Sequence, residues 1–129
     1  MAGQTKAYIL DDRGLPAGYP FRHEYEITPR EASTALKAGT PLLDVRTAEE
    51  FALASVPGAV HIPLGELERR LDELDDHKGG EINLICHMGM RSLRATLMLR
   101  QLGFGAARSV AGGIDLWAAD VDPAITRYK

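Results

Sequence analysis

Cysteine is almost missing from this chain: Cys86 is the single one among 129 residues. A lone thiol cannot build an intramolecular disulfide framework or a multi-cysteine zinc site. It suits a reducing compartment instead. Excess positive charge is missing as well. The formal net charge is −3, which argues against a general nucleic-acid surface. No apolar run approaches the length of a membrane span. The stretch from Met1 to Lys6 leads into Asp11-Asp12-Arg13 with no apolar signal core between them. Internal repeats and low-complexity segments are absent. We therefore expect a cytoplasmic chain that engages neither nucleic acid nor membrane. Its length fits one domain with its own core.

What is present centres on that cysteine. Ile82-Asn83-Leu84-Ile85 reads as a buried strand, and Cys86 ends it. His87-Met88-Gly89-Met90 forms a short loop, and a helix starts near Arg91-Ser92 and runs to Leu102, with Gly103 as its stop. The thiol thus stands between a strand end and a helix N-terminus. Loop N–H groups can converge on one anion there. The helix dipole and the Arg91 charge act in the same direction, and all three favour a thiolate. A cysteine without such neighbours would read as a small buried hydrophobe.

The remaining pattern alternates between strands and helices. Thr28-Pro29-Arg30-Glu31 has an N-cap, a proline at the first helical position and a capping box. Ala32, Ala35 and Leu36 make that helix's inner face, and Gly39 ends it. Pro41-Leu42-Leu43-Asp44-Val45 predicts a buried parallel strand. Thr47-Ala48-Glu49-Glu50 is a second capping box, with Phe51 pointing into the core. Ala59-Val60-His61-Ile62-Pro63 predicts a short strand. Leu64, Leu67, Leu71 and Leu74 predict one amphipathic helix over 64–74. Its acidic neighbours Asp72, Glu73, Asp75 and Asp76 suit a solvated face better than a metal site. The later helix should bury Leu93, Leu97 and Leu102. Ala107 to Val110 predicts a last strand, and Trp117 a core anchor. Tyr8-Ile9-Leu10 suggests a short edge strand. Tyr8, Leu15, Tyr19 and Phe21 suggest that residues 1–27 are an arm laid against a domain formed by residues 28–129. The fold class is α/β, with a mostly parallel central sheet flanked by helices on both faces. Ligands of such sheets bind beyond the carboxyl ends of the strands, where Asp44 and Cys86 lie.

Cys86-His87-Met88-Gly89-Met90-Arg91, followed by Ser92, resembles the active-site loop of the rhodanese (sulfurtransferase) family. In that family Cys and Arg bracket a six-residue loop with a Gly inside. Leu43-Asp44-Val45-Arg46 with Glu49-Glu50-Phe51 is similar to the family's Asp-Val-Arg segment. Val56-Pro57-Gly58-Ala59-Val60-His61-Ile62-Pro63 resembles its Pro-Gly-Ala segment, and Gly112-Gly113-Ile114 with Trp117 its Gly-Gly…Trp segment. The likeness covers about residues 27–120. Ala54-Ser55 departs from it, standing where the family often has Gly-His. The run Ile114-Asp115-Leu116-Trp117 to Arg127-Tyr128 is similar to rhodanese domains attached to enzymes that adenylate ubiquitin-like sulfur carriers.

The resemblance implies a rhodanese-like three-layer domain and a Cys86 persulfide that carries sulfane sulfur from thiosulfate or a persulfide donor to a thiophilic acceptor. A sulfur-carrier or thiol protein is an acceptor of that kind. His87, Met88, Gly89, Met90, Arg91 and Ser92 would surround the transferred sulfur. Arg91 and Arg94 would attract an anionic donor. Asp44 and Arg46 would support the site, although an ordinary salt bridge would use the same atoms. No metal or cofactor is implied. His87 reads equally as an acid, as an acceptor-orienting group or as a plain loop residue. Two other readings remain: a Cys-dependent phosphatase or arsenate reductase, whose loop is one residue longer, and a non-catalytic binding module.

Overall fold

Short apolar runs need both faces covered, and five of them meet in one sheet. The computed structural model describes residues 5–129. Its strands are β1 (Glu26–Ile27), β2 (Leu42–Asp44), β3 (Val60–His61), β4 (Ile82–Ile85) and β5 (Ala107–Val110). They lie in the order β1-β5-β4-β2-β3, and every pairing is parallel. β4 is central and wholly buried, as a strand covered on both sides must be. Its register sets Leu84 beside Leu43, and Ile85 beside Asp44.

Alternation of side chains splits the core in two. Leu43, Ile82 and Leu84 face one cluster with Leu67, Leu74, Leu99 and Phe104. Leu42, Ile85 and Val110 face the other, with Ile27, Ala32, Ile114 and Trp117. The helices follow: α1 (Pro29–Lys37) and α5 (Gly113–Asp120) cover the second face, α3 (Leu64–Leu67) and α4 (Met90–Gln101) the first. α2 (Ala48–Leu53) buries no residue fully. The capping boxes at Thr28 and Thr47 are both formed.

Four local expectations are corrected. The segment 64–74 is not one α-helix: α3 passes into a 3-10 helix over Glu68–His77, with a kink at Arg70 (φ −112°, ψ 20°). The leucine spacing of three, four and three averages about 3.3 residues per turn, between the α and 3-10 periods. All four leucines still reach the core. α4 buries Ser92, Ala95, Thr96 and Leu99, while Leu97 and Leu102 are exposed. Its phase is set by Ser92, which faces the cysteine, and small residues let it lie close to β4 and β5. Phe51 is half-buried and stacks on the His61 ring at 4.4 Å. Tyr8-Ile9-Leu10 adds no strand to the sheet; Leu10 makes an isolated bridge to Pro16.

The boundary expected after residue 27 falls at the end of β1, which pairs with β5 at the sheet edge. Upstream of it, Leu15 is fully buried against Ala111 and Leu116, with Tyr8, Tyr19 and Phe21 around it. Residues 1–4 of the expected arm lie outside the described residues. No described helix is long and apolar enough to cross a membrane.

Candidate functional site

β4 ends at Ile85, and the next residue begins the loop. The Cys86 carbonyl accepts the Ile114 N–H at 2.8 Å, and the His87 carbonyl accepts that of Asp115 at 3.1 Å. The first turn of α5 therefore satisfies the loop's carbonyls from behind. Gly113, at φ +62°, makes this approach possible, because a Cβ there would collide with both carbonyls. With the carbonyls held back, the loop N–H groups turn toward the thiol. Gly89, at φ +108°, closes the loop and caps α4.

Cys86 Sγ receives the Gly89 N–H at 3.1 Å and the Ser92 N–H at 3.2 Å. Ser92 Oγ lies 3.3 Å from it. Ser92 Oγ is also 2.7 Å from Ser109 Oγ on β5. The sulfur is almost fully buried, with 1% of Cys86 exposed. A buried anion needs donors of this kind, since an unpaired one is costly.

Arg91 starts α4 but does not point its fork at the sulfur. Its Nη1 and Nη2 donate to Glu50 Oε1 and Oε2 at 2.6 and 2.9 Å. Arg91, chiefly, with help from the Tyr128 hydroxyl and the Thr47 N–H, holds the Glu50 carboxyl well below the usual carboxylate range. Glu50 in turn keeps Arg91 firmly protonated. The Arg91 fork is thus spent on Glu50 and makes no hydrogen bond to the thiol.

Asp44 and Arg46 are both fully buried and bonded to each other. Arg46 Nη2 donates to Asp44 Oδ2 at 2.7 Å, and Nε is shared between both carboxylate oxygens. Burial works against the Arg46 charge, and the bonds to Asp44 and Tyr128 outweigh it. The remaining Arg46 donors hold the Glu50 and Ala54 carbonyls. This pair braces α2, and so positions Glu50, without reaching the thiol. His61 Nε2 completes the brace on the Arg46 carbonyl at 2.7 Å.

His87 is half-buried and tied down. Its ring stacks on Tyr128 at 4.0 Å, and its Nε2–H donates to the Tyr128 carbonyl at 3.0 Å. Met88 and Met90 are exposed at 43% and 71%, so the loop's rim is apolar. Exposed Arg94 joins Met90, Arg91, Leu93 and Leu97 around a cleft of about 340 Å³ beside the loop. Leu93 and Leu97, expected in the core, line this cleft instead.

The loop from Cys86 to Ser92 is therefore one unit. Asp44 and Arg46 stand behind it. Sequence reasoning gave no site role to Ser109, Tyr128 or Glu50, the last of which it read as a capping residue and as part of a family-like segment. Glu50 carried a signal, since its capping box is real and its carboxylate has room for Arg91 as well. Tyr128 carried none, because its partners lie 41 to 82 positions away.

The family model of the rhodanese-like domain matches residues 28–120. A maize protein named adenylyltransferase and sulfurtransferase is 34% identical over 126 residues, which is 92% of this chain and 27% of that protein. A Bacillus subtilis putative sulfur carrier protein is 42% identical over 81 residues, 63% of this chain and 43% of that protein. The chain thus spans less than half the length of either relative. Among solved structures, a human single-domain sulfurtransferase superposes with a TM-score of 0.63 at 31% identity, over 74% of this chain and 96% of that one.

Proposed function

The chain belongs to the rhodanese-like domain family, and from that premise we propose that it is a sulfurtransferase with Cys86 as the sulfur carrier. The observation that carries this reading is the ring of donors on Cys86 Sγ, from Gly89 and Ser92, at the end of a parallel strand. In the first half-reaction the thiolate attacks the outer sulfur of a donor such as thiosulfate. A Cys86 S–S bond forms, the donor's S–S bond breaks, and sulfite leaves with the electron pair. In the second, an acceptor thiolate attacks the outer sulfur, and Cys86 leaves as a thiolate. This is covalent, ping-pong catalysis that consumes no outside oxidant.

The loop residues His87 to Ser92 hold the terminal sulfur, mainly through backbone N–H groups. Arg91 supplies charge from a distance, while Asp44 and Arg46 keep α2 and Glu50 in place. The acceptor is a thiol or a sulfur-carrier protein, in keeping with the names of the maize and B. subtilis relatives. A cytoplasmic, reducing setting keeps Cys86 free. The loop has four residues between Cys86 and Arg91, which fits one added sulfur. A phosphoryl or arsenate group needs donors for several oxygens, and a charged oxygen left unpaired is costly.

The test is intact-protein mass spectrometry after thiosulfate treatment. One sulfur should add, come off with cyanide or a thiol, and be absent in Cys86→Ser. Cys86-dependent hydrolysis of an aryl phosphate faster than thiosulfate consumption would overturn the assignment.

A further inference from the structure

The residue that touches the most parts of this site is not in the loop. Tyr128 lies in the segment after α5, far in sequence from every group it meets. Its hydroxyl donates to Glu50 Oε2 at 2.7 Å and accepts from Arg46 Nη1 at 3.0 Å. Its ring lies parallel to that of His87, 4.0 Å away with 12° between the planes. Its carbonyl accepts the His87 Nε2–H. One side chain therefore contacts the residue directly after the nucleophile and the carboxylate that grips the last residue of the loop.

We propose that Tyr128 is a positioning residue of the sulfur-transfer loop: its ring sets His87 and its hydroxyl sets Glu50, which in turn sets Arg91. Glu50 Oε2 shares its hydrogen bonds between Arg91 Nη2 and the Tyr128 hydroxyl, so the two donors fix the carboxylate plane together. That plane decides where the Arg91 fork rests. Arg91 sits in the first turn of α4 beside Ser92, whose N–H and hydroxyl meet Sγ, so a shift of the fork disturbs the donors around Cys86. Burial, together with the Glu50 acceptor, pushes the Tyr128 hydroxyl up to about 12, so it stays a donor across the neutral range. The segment is itself anchored. Arg127 pairs with Asp115 through Nε and Nη2, both at 3.0 Å, and Asp115 also accepts the Tyr8 hydroxyl. Asp115 is the residue whose N–H holds the His87 carbonyl. Tyr128 is thus locked to the same helix turn that supports the loop.

The proposal rests on the sulfurtransferase reading for its turnover assay, but not for its second assay. In the full chain, Tyr128→Phe keeps the ring on His87 and removes only the hydroxyl. Loss of one hydrogen bond to a charged group should lower kcat for thiosulfate about tenfold and leave KM within about twofold. Iodoacetamide alkylation of Cys86 at pH 7 should slow several-fold, whether or not thiosulfate is a substrate. Tyr128→Ala should slow both further. A double cycle with Glu50→Gln isolates the route: in that background Tyr128→Phe should have little further effect, because the hydroxyl acts through the carboxylate. Stable Tyr128→Phe with parental kcat and parental alkylation would overturn the proposal. So would full additivity of the two substitutions, which a purely structural role would give. Failure of the parent to consume thiosulfate would sink the sulfurtransferase reading while the alkylation series still decides the role of Tyr128.

Discussion

Arg91 and Glu50 form a two-bond ion pair, Nη1 to Oε1 at 2.6 Å and Nη2 to Oε2 at 2.9 Å, across the mouth of the loop that holds Cys86. The loop's own arginine is therefore already matched by a carboxylate. The Arg91 charge is thus paired, and is not the open cation that the loop motif suggests.

Glu50→Gln should change both kinetic constants. Unmasking Arg91 should lower KM for thiosulfate about threefold, because a negative charge beside the site is gone. The kcat should fall, because the fork loses its fixed position. Steady-state kinetics at two salt concentrations check this. A KM that is unchanged, or equally salt-sensitive in both proteins, would show that Arg91 does not meet the donor.

The same pair predicts an acid-side stability effect. The Glu50 carboxyl is depressed in the folded protein from its ordinary value of 4.5, first by Arg91. A depressed carboxylate stabilises the fold above its unfolded value and loses that contribution as pH falls through the folded one. Glu50→Gln should therefore cost stability at neutral pH and show a shallower loss below about pH 4.5. Urea melts from neutral pH downward measure it.

Ser92→Ala should separate chemistry from fold. It removes the hydroxyl 3.3 Å from Sγ and leaves the Ser92 N–H in place. Persulfide formation should slow about tenfold, the worth of one hydrogen bond to a charged group. Stability should drop by about 1–2 kcal/mol, because Ser109 Oγ loses its 2.7 Å partner. Stopped-flow mixing with thiosulfate reads the rate. Equal slowing in Ser109→Ala would assign the effect to the serine pair and not to contact with sulfur.

Gly113→Ala should be the most damaging small change. A Cβ there strikes the Cys86 and His87 carbonyls at a positive φ. Strain of this kind costs about 2 kcal/mol or more, and relief requires the loop to move away from α5. Both the melting temperature and Cys86 alkylation should fall. Gly65→Ala is the control: its Cβ meets nothing within 4 Å, and it should be neutral or stabilising by up to about 1 kcal/mol. Comparable losses at both positions would point to a general helix effect.

Much of this was legible in the chain itself. Capping boxes at Thr28 and Thr47, the buried run at β4 and the Cys86–Arg91 spacing are local signals, set by hydrogen bonds between near neighbours and by burial on both faces of a strand. They were enough to place the α/β class and the family. Where the sequence misled, two local patterns competed. In α4, Leu93 and Leu97 made as good a stripe as Ser92, Ala95, Thr96 and Leu99. The bond between Ser92 and Sγ chose the phase.

The sequence by itself determined that a thiol stands between a buried strand and a helix, because strand burial and helix initiation depend on adjacent residues. Only the tertiary structure decided what surrounds that thiol. The partners of Arg91, His87 and Ser92 are Glu50, Tyr128 and Ser109, at separations of 41, 41 and 17 positions. Such contacts exist because β2, β4 and β5 lie side by side and because Arg127 pins the last described segment to Asp115. No short-range preference encodes them. They arise when a parallel sheet brings its carboxyl ends together, and each polar group buried there must find whatever partner the fold has put within reach.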